Sequence, residues 1–85
     1  MTTTPLDPRR AREAVNEALL EIVPDADVAS LGPDDELRQT LELDSMDFLA
    51  FARRLSESTG QPIDEYDYDR LTTVRACVDL LTSRR

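Results

Sequence analysis

The chain has 85 residues and a formal net charge of −8, from 18 acidic and 10 basic side chains. That length suits one small domain, with little core to spare for a deep catalytic cleft. The acidic balance repels phosphate backbones and anionic lipid surfaces, so neither nucleic-acid binding nor membrane insertion is expected.

All the bases are arginine, and there is no histidine. The commonest general base and metal ligand is therefore missing. Cys77 is the single cysteine, which excludes an internal disulfide. No run approaches the ~18 apolar residues of a membrane span. The opening MTTTPLDPRR lacks the apolar centre of a secretory signal. A cytoplasmic monomer is the expectation, with a basic protein partner as its electrostatic complement.

Residues 1–6 are expected to form a flexible tail, and 7–83 the folded domain. Asp7-Pro8 reads as a helix start, with Asp7 as N-cap and Pro8 in the first turn. Ala11, Val15, Ala18, Leu19, Ile22 and Val23 then recur at three- and four-residue spacing, the stripe of an amphipathic helix that Pro24 stops. A long connection follows over 24–44. Gly32-Pro33 marks a turn in it, and one helical turn is expected over 34–39. Val28, Leu31, Leu37, Leu41 and Leu43 are spaced irregularly, like pegs that pin an ordered loop to a core.

The central helix is expected from Ser45 to Thr59, with Asp44 as N-cap and Gly60 as C-cap. Phe48, Leu49, Phe51, Ala52 and Leu55 give it a broad apolar surface. A short helix over 65–70 follows. A last helix, capped by Thr72 or Thr73, carries Val74, Cys77, Val78 and Leu81 on one face. The pattern predicts an all-α fold: a small four-helix antiparallel bundle of three main helices and one short one. A long ordered loop joins its first two main helices.

The stretch LELDSMDFLAF (41–51) places a serine between two aspartates at the head of the central helix. A catalytic serine would need a base in reach. Ionised, solvated Asp44 and Asp47 are weak bases, and no Gly-x-Ser-x-Gly turn is present. The acidic clusters at 34–36 and 64–69 lack the spacing of a calcium-binding loop and read as solvated surface. Ser45 on its own reads as a helix-start residue.

The combination of Asp44-Ser45-Met46, a long ordered loop before it, an acidic chain of this size and this order of helices resembles the acyl carrier protein family. The resemblance covers nearly the whole chain. It implies that Ser45 carries covalent 4′-phosphopantetheine, transferred from coenzyme A by a phosphopantetheinyl transferase. It further implies a carrier without catalytic activity of its own. Such a carrier holds acyl intermediates as thioesters for partner enzymes of fatty-acid, polyketide or specialised acyl metabolism. Those partners would be an acyl ligase, acyltransferase or synthase with basic docking patches. In this family an acyl chain can fold back between the helices, and Leu49, Phe51, Leu55, Ile63 and Val74 are the candidate lining. Two alternatives stand beside it: an unmodified helical interaction module of the same fold, and a carrier of amino-acid or aryl cargo.

Three features depart from the family's usual pattern. Glu42 occupies a position that is usually glycine, so the loop is expected to pack differently there. Met46 replaces the commoner leucine. The central helix carries Arg53 and Arg54 against only Glu57, while the acids gather elsewhere. Residues 24–47 hold Asp25, Asp27, Asp34, Asp35, Glu36, Glu42, Asp44 and Asp47 against a single base, Arg38. Asp44, Met46, Asp47, Arg53 and Arg54 are therefore the expected partner-recognition residues, and a specialised pathway is expected over bulk fatty-acid synthesis.

Overall fold

The computed structural model describes residues 7–83; the expected tail at 1–6 lies outside them. Three helices of ten residues or more form the frame: α1 (Pro8–Ile22), α3 (Ser45–Thr59) and α4 (Val74–Ser83). One short helix, α2 (Leu37–Thr40), and two 3₁₀ turns, Val28–Ser30 and Glu65–Arg70, occupy the connections. No strand occurs among the described residues; one isolated antiparallel bridge joins Glu36 to Thr73.

The ends of α1 and α3 follow local chemistry. The Asp7 carboxylate accepts the Arg10 amide at 2.9 Å, which satisfies an orphan donor, and Pro8 loses nothing in the first turn. Gly60 closes α3 in the left-handed region at φ 69°, where a side chain would be strained. Thr73 caps α4, its hydroxyl oxygen accepting the Ala76 amide at 3.0 Å.

Helix α1 packs against both α3 and α4. Its buried face is Ala11, Val15, Ala18 and Leu19, and Phe51, Ala52 and Leu55 meet it from α3. From α4 the buried residues are Val74, Cys77, Leu80 and Leu81. The spacing of the last helix favours Val78, but Leu80 is the buried residue and Val78 only partly so. Ile22 and Val23 likewise lie at the margin of the core.

The long connection is ordered by three kinds of anchor. Leu31, Leu37 and Leu43 are buried, with Val28 and Leu41 packed beside them, so the irregular apolar residues do act as pegs. Backbone bonds stitch the loop to the start of α4: Leu37 N–H to Thr72 O at 2.9 Å, and Arg75 N–H to Pro33 O at 2.9 Å. The Arg12 guanidinium, half-buried on α1, donates to the carbonyls of Leu31 at 3.1 Å and Val28 at 3.4 Å.

The helical turn expected over 34–39 forms instead at Leu37–Thr40. Its start is set by the long-range backbone bond from Leu37 to Thr72, which no local pattern reveals.

Candidate functional site

Asp44 fixes the geometry around Ser45. Its carboxylate accepts the Asp47 amide at 2.8 Å, and its carbonyl accepts the Phe48 amide at 2.9 Å. Asp44 is thus the N-cap, and Ser45 is the first residue of α3. The capping role that would explain a serine here belongs to its neighbour. The Ser45 hydroxyl makes no hydrogen bond among the described residues, and the residue is exposed.

The approach to the serine is built by a tight loop. The Leu43 amide donates to the Arg38 carbonyl at 2.9 Å, drawing the chain back on itself. Glu42 sits inside that turn at φ 54°, the only non-glycine residue with positive φ among those described. Glutamate in place of glycine therefore does not free this segment from left-handed backbone; the conformation is adopted at a cost in strain.

Beside Ser45 lies a cleft of about 390 Å³, lined by Arg38, Ser45, Phe48, Leu49, Glu65, Tyr68, Asp69 and Thr72. The Phe48 and Tyr68 rings meet edge-on at 5.9 Å and 87°, which ties the 3₁₀ turn Glu65–Arg70 to α3. Asp64 and Asp67 cap that turn reciprocally. The Arg38 guanidinium carbon stands 5.6 Å from the Phe48 ring centroid, within cation–π range. Outside the cleft Met46 is 73% exposed, an apolar surface at the entrance to α3.

The structure divides the residues singled out from sequence. Ser45, Asp44, Met46 and Asp47 gather at the head of α3. Arg53 lies on its exposed side. Arg54 is engaged within the chain, with Glu21 of α1 at 2.9 Å and Glu57 at 3.4 Å. Of the five lining candidates, only Leu49, 44% exposed, borders the cleft. Phe51, Leu55 and Val74 are buried in the core, and Ile63 packs against it.

Sequence reasoning passed over Arg38, Tyr68, Glu65, Asp69 and Thr72 as cleft residues. One signal was available, for Arg38: it is the only base between residues 24 and 47. Among the described residues, no group of three or more acidic, cysteine or histidine side chains is placed to hold a metal ion. No helix there is long and apolar enough to cross a membrane.

The site is thus an unengaged hydroxyl at the head of one helix of a small helical bundle. Residues 12–81 match the family model described as the phosphopantetheine attachment site. The chain is 32% identical to polyketide-8 synthase acyl carrier protein 2 of Streptomyces avermitilis, over 98% of this chain and 90% of that one. It is 29% identical to an acyl carrier protein of Rubrobacter xylanophilus, over 87% of this chain and 95% of that one. The chain belongs to the acyl carrier protein family, whose cofactor is 4′-phosphopantetheine.

The residues present fit that group. The hydroxyl is accessible, no cap or side chain among the described residues competes for it, and the adjoining cleft is open to an arm rooted there.

Proposed function

We propose that the Ser45 hydroxyl is the attachment point of 4′-phosphopantetheine, and that the chain carries acyl intermediates as thioesters on that arm. The observation that supports this most directly is the division of labour at the head of α3: Asp44 caps the helix, and the Ser45 hydroxyl is exposed and unengaged. In loading, a new bond forms between Ser45 Oγ and the pantetheine-bearing phosphorus of coenzyme A. The phosphoanhydride bridge breaks, the nucleotide portion leaves, and the hydroxyl proton passes to a base of the transferase or to solvent. The carrier supplies position; the chemistry of the thioester belongs to the arm and the partner enzymes.

Polyketide or other specialised acyl metabolism fits best, supported by the likeness to a polyketide synthase carrier and by the arginines of α3. Docking would use the exposed head of α3, with Asp44, Met46 and Asp47 beside the serine and Arg53 further along. Leu49 would meet cargo first, because it borders the cleft. Contact of an acyl chain with Phe51, Leu55 or Val74, all buried, would require the bundle to open; Ile63 is only partly buried.

The test is intact-mass measurement after incubation with coenzyme A, magnesium and a broad-specificity phosphopantetheinyl transferase. Wild type is expected to gain one phosphopantetheine unit and Ser45→Ala none. A wild-type chain that gains nothing contradicts the proposal. Arg53→Glu is expected to slow acyl loading by the cognate ligase several-fold, since rim charge acts on association rate. Unchanged loading of Arg53→Glu refutes the specificity role.

A further inference from the structure

We propose that Arg38 is the counter-ion of the phosphodiester formed on Ser45, and so a positioning residue that aligns the root of the arm with the cleft. This rests on Ser45 being the attachment point. Arg38 and Ser45 line the same cleft, and Arg38 is the only basic residue among those described that does. The Leu43 amide bond to the Arg38 carbonyl closes the loop that carries one toward the other.

Availability and place together set this arginine apart: Arg9, Arg10, Arg53 and Arg70 are also uncommitted among the described residues, but none of them lines the Ser45 cleft. Arg54 and Arg75 are committed to carboxylates, and Arg12 to backbone carbonyls. Arg38 has no ion pair or side-chain hydrogen bond among the described residues, although Glu65 and Asp69 line the same cleft. Its guanidinium carbon stands 5.6 Å over the Phe48 ring, which restricts the side chain, while its N–H groups make no hydrogen bond among the described residues. A planar fork with unspent donors matches the two non-bridging oxygens of a phosphodiester.

The local field gives the pairing a purpose. Asp44 and Asp47 flank the serine, and the Asp44 carboxylate already occupies the Asp47 amide. A phosphodiester on Ser45 therefore adds negative charge to an acidic surface, with part of the helix-end compensation taken. Among the described residues, Arg38 is the one side chain on the cleft wall that offsets it. It would draw the first atoms of the arm over Phe48 and away from the two aspartates.

The experiment compares unloaded and loaded forms of wild type, Arg38→Gln and Arg38→Lys, with loading verified by mass. Two readouts do not depend on carrier activity: the change in melting temperature on loading, and the Arg38 Nε–H resonance in ¹⁵N-labelled protein. In low salt, loading should favour wild type over Arg38→Gln by roughly 2–4 °C, the size expected of an exposed charge pair in a domain of this length. That difference should shrink as salt is raised, and Arg38→Lys should keep part of it. The Nε–H signal should shift when the phosphodiester forms. Loading-induced changes that are equal in wild type and Arg38→Gln, with an unmoved Nε–H signal, overturn the proposal and leave attachment at Ser45 intact. Failure of wild type to load contradicts the attachment itself.

Discussion

Replacing Glu42 with glycine should make the protein more stable, although it removes a side chain and adds no contact. Glu42 stands at φ 54°, where an L-residue crowds its own carbonyl. That conformation costs a non-glycine residue about 1–2 kcal/mol. Glycine relieves it, but the freer unfolded chain takes back about 0.5–1 kcal/mol. The net gain expected is about 0.5–1 kcal/mol, or a rise in Tm of roughly 2–8 °C for a domain of this size. Removing a negative charge from a chain of net charge −8 would also help, so the control is Glu42→Ala. Alanine removes the same charge and keeps the strain. Thermal and urea unfolding of the three proteins separate the two effects: Glu42→Gly should exceed Glu42→Ala by about 0.5–1 kcal/mol, the strain relieved less the entropy of the freer chain. If alanine and glycine stabilise equally, or glycine destabilises, backbone strain at this turn is not what the structure implies.

The cap of α3 gives a second expectation. Asp44→Ala should lose about 1 kcal/mol in urea unfolding, and Asp44→Ser should keep most of it, because a serine oxygen can accept the same Asp47 amide. A third concerns alkaline pH. Burial pushes the Cys77 thiol from an ordinary 9.0 up to about 12, against a weaker opposing effect from a backbone hydrogen bond. The folded chain therefore holds its thiol proton where the unfolded chain has released it. Stability from this group is intact below pH 9 and falls as pH rises toward 12, by at most about 1.4 kcal/mol per pH unit. Unfolding of wild type and Cys77→Ala across that range should show the slope only with the thiol present, and native Cys77 should resist alkylating reagents.

Much of the frame was legible because its signals are local. Asp7, Asp44 and Gly60 mark helix ends through bonds to amides a few residues away or through a single φ angle, and a sequence displays those directly. The pegs Leu31, Leu37 and Leu43 were also visible, since apolar residues in an otherwise polar loop need somewhere to go. The offset of α2 was not legible, because its start is set by the backbone of Thr72. Periodicity placed Leu49 and Phe51 together on one apolar surface. It could not say that one edge of that surface opens onto a cleft while the centre faces α1. Arg38 escaped notice for a related reason. Its significance lies in what it faces and in the absence of a carboxylate partner among the described residues, and both are properties of the folded chain.

The central claim concerns one oxygen atom, and trypsin offers a direct way to find it. Cleavage after Arg38 and Arg53 releases the peptide 39–53, in which Ser45 is the only serine and Thr40 the only other aliphatic hydroxyl. Fragmentation mass spectrometry of that peptide, from protein loaded with coenzyme A and a transferase, should place the whole added phosphopantetheine on Ser45. A loaded protein whose 39–53 peptide is unmodified, or modified at Thr40, would contradict the account.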